Sequence, residues 1–370
     1  MFTRRVFGAG AALAAGRMLT ETVFAQRAAV PLGELPQDMV WLNANENSAG
    51  PPPSAIQAMI DVLPSTGRYH YQEFREFYEE VARSEELSRA QILVGAGSSE
   101  VLHAAVDAFT SDSKPLIAIT PTFEGPLEVM RGLGREVIKV PLTESYTADV
   151  RTLVEVAAEK RGGLIYLCNP NNPTGSVTPK GDMDWLIDNL PPDTVALVDE
   201  AYIHFADTPE MESALKHVRL GRNVVVTRTF SKIYGMAGLR AGFACAPPEL
   251  IARMAPFRNN VIAYPTTRAV LAALAGRATF VSQRRAATLK TRRELCEWVK
   301  ERELNYIESH ANFVMIDLER DARPVIYAMP PKGVAVGRPF PPMDNFLRVS
   351  IGTDQDMAKF RDVFWSVYKA

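Results

Sequence analysis

Seven short apolar segments between residues 91 and 246, each nearly continuous, constrain the fold of this chain more than any other sequence feature. A strand with one face in water alternates apolar and polar residues, whereas these segments do not, so the sheet they form must be covered on both faces. Helix-length amphipathic stretches separate most of them, which is typical of a mostly parallel α/β sheet. The segments span residues 91–94, 115–120, 136–140, 163–168, 194–200, 223–228 and 242–246.

The pattern changes after residue 265, where long charged helices and shorter strands indicate a second, smaller α+β domain. Its predicted elements are helices over about 266–303, strands at 311–317 and 345–351, and a closing helix near 355–368. The predicted organisation is a large domain at 52–260 and a small domain at 261–370, which the N-terminal segment 26–51 joins.

The first 25 residues resemble a twin-arginine (Tat) signal peptide. Arg4 and Arg5 precede a short Ala/Gly-rich segment at 8–16, and Val23-Phe24-Ala25 fits a cleavage site for small residues. We therefore predict export to the periplasm or beyond. The alternative is a cytoplasmic protein with an uncleaved basic tail.

Composition argues against several other classes of protein. The chain has 41 Lys and Arg against 43 Asp and Glu, a net charge of −2, and nucleic-acid-binding proteins usually carry a basic surplus. No run of 18 apolar residues is present, so we predict no permanent membrane span. Three cysteines and five scattered histidines do not form a disulfide framework or a metal site.

A glycine-rich turn at 95–100 (GAGSSE) follows a predicted strand and begins a helix. It is not a dinucleotide-binding fingerprint, because Glu100 occupies the position of the third glycine. What remains is a candidate anion site at the helix N-terminus, with Gly97, Ser98 and Ser99 and with Ser98 as the helix cap. A plain helix cap without a ligand explains the same residues.

Three neighbouring strand ends carry the remaining polar groups. The motif NPNNPTG (169–175) follows one strand, DEAY (199–202) ends the next, and TFSKIYGMAGLRAG (229–242) follows a third. Ligands of open α/β sheets bind at the carboxyl ends of strands, so an amide, a carboxylate, an amine and a guanidinium should meet there. Taken singly, Asp199 could be a helix cap, Lys232 a surface charge and Asn172 a turn residue.

These motifs resemble the fold-type I, class I/II aminotransferases that use pyridoxal 5′-phosphate. The segments LNANEN (42–47) and LRVSIGT (347–353) are similar to the histidinol-phosphate aminotransferase branch of that group, and the resemblance covers residues 40–370. It implies a large domain with a mostly parallel seven-stranded sheet, a smaller α+β domain and a homodimer with a shared active site.

The resemblance also implies roles for individual residues. Lys232 would form a Schiff base with the cofactor and then move the substrate proton, while Asp199 would face the ring nitrogen. Asn172 and Tyr202 would bond the phenolic oxygen, and Tyr202 is counted with the catalytic residues. The cofactor's phosphate would be held by Gly97, Ser98, Ser99, Thr229, Ser231 and Arg240.

Aromatic residues complete the implied cofactor site. Phe123 would stack on the cofactor ring, although packing in the core explains it equally well. Tyr69 would reach the cofactor phosphate of the neighbouring subunit, and Tyr71 competes for that role.

Arg348 is implied to bind the substrate α-carboxylate, because its planar fork suits a carboxylate better than lysine does. Asn45, Asn172 and Asn312 would support it, and Arg338 would face the distal group of the substrate. Two departures fall on specificity: Ala49 replaces an expected tyrosine, and Gly337 lies as an insertion before Arg338. Histidinol phosphate is therefore doubtful as the substrate.

The predicted function is transfer of an amino group between an amino acid, or a related primary amine, and a 2-oxo acid by a ping-pong mechanism. A pyridoxal phosphate-dependent lyase, decarboxylase or racemase is the alternative on the same fold. A non-enzymatic regulator or binding module would need an added DNA-binding domain or a lost lysine, and the chain shows neither.

Overall fold

The structure is a computed structural model that describes residues 36–258 and 261–369. Its twelve strands in those residues are β1 (Val40–Leu42), β2 (Ile92–Gly95), β3 (Leu116–Thr120), β4 (Val137–Pro141), β5 (Gly163–Cys168), β6 (Thr194–Asp199), β7 (Val224–Thr229), β8 (Gly242–Cys245), β9 (Asn305–Ile307), β10 (Phe313–Asp317), β11 (Val334–Val336) and β12 (Phe346–Ser350). The first six α-helices are α1 (Pro53–Val62), α2 (Phe74–Ser84), α3 (Ser98–Phe109), α4 (Gly125–Leu133), α5 (Val150–Glu159) and α6 (Lys180–Asp188). The other six are α7 (Leu215–Arg219), α8 (Pro248–Met254), α9 (Tyr264–Ala275), α10 (Arg277–Lys300), α11 (Arg323–Ala328) and α12 (Asp354–Tyr368).

The seven predicted apolar segments form one seven-stranded sheet in the order β2-β8-β7-β6-β5-β3-β4. Every pairing is parallel except those of β8, which runs antiparallel to both β2 and β7. The predicted mostly parallel α/β sheet is therefore confirmed. All residues of β5 and β6 are buried, as expected for central strands with helices on both faces.

The register of the central strands brings functional side chains together. Cys168, the last residue of β5, lies opposite Asp199 at the end of β6, and Asp199 lies opposite Thr227 of β7. The loops that follow these strands therefore leave the sheet at one edge.

A second apolar core lies under the C-terminal elements. There β12, β10 and β9 form an antiparallel sheet, and β1 pairs in parallel with β11. Leu42 of β1 is buried in the same cluster as Val314, Phe360 and Phe364. Residues 40–42 thus pack with the C-terminal part of the chain, although they precede the large sheet in sequence.

The long helical region of the prediction is two helices, because α9 ends at Ala275, Gly276 lies between them, and α10 begins at Arg277. Ala269, Val270 and Ala273 of α9 are buried in the same apolar core as the large sheet, where α9 packs on α1 and α2, although it follows the predicted boundary at residue 260. Strands β9 and β11 were not predicted, because three residues are too few to show a pattern. The predicted signal peptide, residues 1–25, lies outside the described residues. Within the described ranges no helix combines the length and the apolar character needed to cross a membrane.

A buried ion-pair network holds the β7 side of the sheet to α2. Arg228 donates from Nη2 to Glu200 Oε2 at 2.8 Å and from Nη1 to Glu85 Oε2 at 2.5 Å. The side chains of Arg228, Glu200 and Glu85 are 11%, 0% and 10% exposed. Burial raises the pKa of Glu85, and the charge of Arg228 opposes that rise. Removing the guanidinium of Arg228 would therefore leave two buried carboxylates without the cation that they share.

We predict that Arg228→Met lowers the free energy of unfolding by about 3–5 kcal/mol, the usual cost of breaking a buried pair from one side. Urea unfolding followed by circular dichroism measures the change. The matched control is Arg222→Met, which breaks a more exposed pair with Asp188 and should cost about 1 kcal/mol or less. Equal losses in the two variants would contradict the interior role of Arg228.

Candidate active site

The loop between β2 and α3 forms a cradle for an anion. Gly97 caps α3 with φ +84°, a conformation that favours glycine, and a Cβ there would lie 2.1 Å from Nη2 of Arg240. The predicted cap, Ser98, is instead the first helical residue, because the left-handed turn falls on Gly97. Free backbone N–H groups at the start of α3 and the guanidinium of Arg240 therefore meet at one point, as anion binding requires.

Two hydroxyls after β7 extend this cradle. Thr229 Oγ1 lies 2.8 Å from Ser231 Oγ and accepts a hydrogen bond from the backbone N–H of Ser231 at 3.0 Å. Arg240 adopts φ +53° and donates from Nη1 to the carbonyl of Ala237 at 2.9 Å, which holds its side chain over its own loop.

Asp199 is buried at the end of β6 without a cation in direct contact among the described residues. Thr227 Oγ1 donates to Asp199 Oδ1 at 3.0 Å, and the backbone N–H of Ala201 also donates to the carboxylate. Burial raises the pKa of Asp199 to about 6, against those two hydrogen bonds and the charge of Lys232. A buried carboxylate in this state can pair with a protonated ring nitrogen.

Lys232 follows β7, and its Nζ donates to the carbonyl of Ala44 at 3.1 Å. The same atom lies 5.7 Å from the ring centroid of Tyr202. Burial of the ammonium, together with the positive charge of Arg348, lowers the pKa of Lys232 to about 8. The amine is therefore partly neutral near physiological pH, as a nucleophile or base requires.

One hydrogen-bonded chain joins the two parts of the molecule across the site. Asn45 and Asn172 both donate to the hydroxyl of Tyr202, at 3.1 Å and 3.3 Å. Arg348 Nη1 donates to Oδ1 of Asn172 at 2.7 Å. Asn312 Nδ2 donates to the carbonyl of Asn45 at 3.0 Å. The arginine of β12 and the amide after β5 are thus held against one phenol.

Arg348 is 5% exposed, and no carboxylate of the described residues pairs with it. Its Nη2 donates to the carbonyl of Asn43 at 2.7 Å, but its Nε is buried without a hydrogen-bond partner. Burial lowers the pKa of Arg348 to about 10, which still leaves the guanidinium charged at neutral pH. A buried cation with an unused donor is suited to binding an anionic group that enters the site.

The structure brings most of the predicted site residues to one edge of the large sheet, and it leaves Tyr69 and Tyr71 apart from them. Phe123 lies at the start of α4, where its ring occupies the space beside Gly125. Arg338 pairs with Glu124. Tyr69 and Tyr71 stack on each other at the surface, 72% and 67% exposed, in the loop between α1 and α2.

Sequence reasoning missed three residues of this site. Thr227, which supports Asp199, lies two positions before Thr229 in β7, so strand alternation could have found it. Ser350 donates to Asn45 Oδ1 at 3.2 Å and lies two residues after Arg348, on the same face of β12. Glu124 carries no local signal, because its partner is 214 positions away.

The residues present fit pyridoxal 5′-phosphate. The cradle formed by Gly97, Arg240 and the start of α3 accommodates a phosphate, and the enclosed amine of Lys232 accommodates an aldehyde. Asp199 offers a buried carboxylate that a protonated ring nitrogen would neutralise. Fold and site together define a pyridoxal phosphate-dependent enzyme of fold type I.

Comparisons with known proteins identify the family. The family described as "Aminotransferase class I and II" matches this chain over residues 37–364, and the chain belongs to that family. A histidinol-phosphate aminotransferase of Symbiobacterium thermophilum is 36% identical over 330 residues, which cover 87% of this chain and 89% of that relative. The histidinol-phosphate aminotransferase of Moorella thermoacetica is 33% identical over 333 residues, which cover 88% of this chain and 84% of that relative.

A solved structure agrees with these relatives. Histidinol-phosphate aminotransferase from Sinorhizobium meliloti, in complex with pyridoxal 5′-phosphate, has a TM-score of 0.84 to this chain at 25% identity, with 90% of this chain and 91% of that chain covered. The predicted fold, cofactor and reaction class are confirmed: the chain is a pyridoxal phosphate-dependent aminotransferase.

We predict that attachment of added cofactor accelerates with pH up to about 8 and then levels off. The pKa of Lys232 is about 8, and only its neutral amine attacks the aldehyde, so each pH unit below that value should slow attachment roughly tenfold. Reductive trapping of the cofactor with borohydride, followed by mass spectrometry, measures the rate. Arg348→Gln should move the midpoint to higher pH, because the Arg348 charge lowers the pKa of Lys232. The exposed control Arg131→Gln should not, and a midpoint near 10.5 in the wild type would contradict the enclosed amine.

Proposed function

We propose that this enzyme takes amino groups from α-amino acids and that Arg348 binds their α-carboxylate. The observation that carries the proposal is the buried guanidinium of Arg348, whose Nε has no partner. A substrate carboxylate would accept from that Nε and from one Nη, while Asn172 and the carbonyl of Asn43 hold the remaining donors.

The residues around this cation would hold the cofactor and move the proton. When bound, the cofactor supplies an electron sink for the electron pair released at the substrate Cα. Lys232 would move the proton between the substrate Cα and the carbon that carries the aldehyde of the cofactor. Asp199 would keep a proton at the ring nitrogen, since the buried carboxylate is stabilised by a cationic partner.

Other side chains would orient the cofactor. Asn172 and Tyr202 would bond its phenolic oxygen, since they already form one hydrogen-bonded unit with Asn45. Phe123 would lie against the ring. The phosphate would be held by Gly97, Ser98, Ser99, Thr229, Ser231 and Arg240.

The proposal is tested with pairs of donors that differ only in the carboxylate, such as an L-amino acid and the amine left after its removal. The amino acid should form its 2-oxo acid, and Arg348→Gln should lower its kcat/KM by roughly 100-fold because a buried charge pair is lost. The same variant should change the amine far less, and Arg131→Gln should change neither. Equal rates for the two donors in the wild type would contradict the proposal.

Histidinol phosphate is the second candidate, and the names of the relatives support it. This donor carries no α-carboxylate, so Arg348 and Arg338 would have to bind its phosphate instead. Ala49, an exposed residue where a tyrosine is expected, removes one contact that such a substrate would use. Including histidinol phosphate among the donors separates the two candidates directly.

We also propose a homodimer whose subunits share their active sites. An apolar stripe on α1 and the residue after it supports this: Ile56, Ile60 and Leu63 lie on one helical face and are 42%, 53% and 55% exposed. The exposed pair Tyr69 and Tyr71 follows that stripe in the chain. Contiguous exposed apolar surface of this kind marks an interaction site.

Mixing two inactive variants tests the shared site. Lys232→Ala supplies an intact Tyr69, and Tyr69→Ala supplies an intact Lys232, so a mixed dimer contains one complete site. Random exchange of equal amounts should restore about a quarter of the wild-type activity. The same mixture with Tyr71→Ala in place of Tyr69→Ala decides between the two tyrosines. No restoration in either mixture would contradict sharing.

We further propose that the protein is exported through the twin-arginine route. Support comes from Arg4 and Arg5, the apolar segment that follows and the small residues ending at Ala25. N-terminal sequencing of protein from the periplasmic fraction should begin at Gln26. An intact N-terminus in the cytoplasmic fraction would contradict export.

A further inference from the structure

An ion pair lies beside the proposed substrate carboxylate site. Arg338 Nη2 donates to Glu124 Oε2 at 2.5 Å, and the two side chains are 35% and 37% exposed. Glu124 comes directly after Phe123, at the start of α4, whereas Arg338 follows β11 from the C-terminal part of the chain. The pair therefore bridges the two parts of the molecule at the site.

Two contacts place Arg338 next to Arg348. The guanidinium carbons of Arg338 and Arg348 lie 4.4 Å and 4.5 Å from the ring centroid of the same residue, Phe340. Gly337 packs against Arg348 so closely that a Cβ on it would lie 3.2 Å from Arg348 Nε. The charge of Arg338 contributes to the lowered pKa of Arg348. A donor held by Arg348 therefore has Arg338 and Glu124 within reach of its side chain.

The charges at this site balance without a second anion. A bound α-carboxylate would neutralise Arg348, and Glu124 already neutralises Arg338. A donor with an anionic side chain would have to displace Glu124 from Arg338 and would then face that carboxylate at short range. Like charges a few ångströms apart repel, even where the site is partly open to solvent. An uncharged side chain leaves the pair intact and can lie on the apolar surface of Phe340.

We propose that Glu124 is a specificity-determining residue, which blocks Arg338 so that the enzyme selects α-amino donors with uncharged side chains and excludes those with a distal anion. This inference rests on the proposed function, since it takes Arg348 as the site of the α-carboxylate.

The test uses the nearly isosteric donors glutamate and glutamine with the holoenzyme. Wild type should prefer glutamine, and Glu124→Gln should shift the ratio of kcat/KM values toward glutamate by roughly tenfold or more. The shift should disappear in Glu124→Gln/Arg338→Gln, because the gain requires the guanidinium of Arg338, which Glu124 pairs with in the wild type. Glu155→Gln, an exposed residue of α5 with the same charge change, is the matched control and should not shift the ratio.

A binding measurement separates this inference from the proposed function. Calorimetry with glutarate and its monoamide, glutaramate, reports on Glu124 even if neither amino acid is turned over. Glu124→Gln should bind glutarate roughly tenfold more tightly than wild type does, with glutaramate unchanged. An unchanged ratio, a gain that persists without Arg338, or a wild-type preference for glutarate would overturn the inference. So would a preference for lysine that Glu124→Gln abolishes, since Glu124 would then bind a cationic side chain itself.

Discussion

Replacing Lys232 with alanine should reduce turnover by roughly 10⁴-fold or more, because one substitution removes both the covalent attachment of the cofactor and the proton-transferring amine. The amine lies 5.7 Å from the Tyr202 ring centroid, and its only hydrogen bond with a described residue is to the carbonyl of Ala44. Burial lowers the pKa of Lys232 to about 8, which no solvent-exposed lysine would match. Single-turnover kinetics and borohydride trapping with mass spectrometry measure the two losses separately.

The matched control is Lys139→Ala, which removes an exposed lysine of β4 and should leave both readouts unchanged. Added methylamine should restore part of the proton transfer in Lys232→Ala without restoring covalent attachment, because a free amine can act as a base once the cavity is open. If the variant kept its trapped cofactor on another lysine, or kept more than about a hundredth of the turnover, the assignment of Lys232 would be wrong.

The large sheet could be predicted from the sequence because its strands are buried on both faces. Continuous apolar segments such as 163–168 and 194–200 mark such strands directly, and the structure confirms all seven. The short strands β9 and β11 have three residues each, so no pattern could mark them. The packing of α9 into the core of the large sheet, against α1 and α2, could not be foreseen either, because its apolar residues are equally suited to either core.

The candidate site divides in the same way. Asp199 and Lys232 follow neighbouring strands of one sheet, so strand ends alone bring them to a common edge. Arg348 comes from β12 in another sheet, and its contact with Asn172 spans 176 positions that no local pattern connects. Only the resemblance to a known family placed it there. The pairing of Glu124 with Arg338 had neither signal, and it follows from three-dimensional packing alone.

Asp199→Asn should change stability and activity in opposite directions in the same protein. In the cofactor-free protein, burial raises the pKa of Asp199 from 3.8 to about 6, so the folded state holds its proton more tightly than the unfolded state does. The penalty for the buried carboxylate is absent below about pH 4 and complete above about pH 6. About two pKa units correspond to about 3 kcal/mol. Above pH 6 the variant should therefore be more stable than the wild type by up to that amount, since an amide can still accept from Thr227.

The same change should lower turnover by roughly 10³-fold or more, because an amide cannot keep the ring nitrogen of the cofactor protonated. Denaturant titrations of cofactor-free protein at pH 4 and pH 8, with steady-state kinetics of the holoenzyme, measure both effects. The control is Asp188→Asn on the surface of α6, which should alter stability by less than about 1 kcal/mol and leave turnover intact. A cofactor-free Asp199→Asn that is less stable than wild type at pH 8 would mean that the carboxylate already has a cationic partner. The stabilised but inactive variant is expected because Asp199 is costly to the fold until the cofactor supplies its counter-charge.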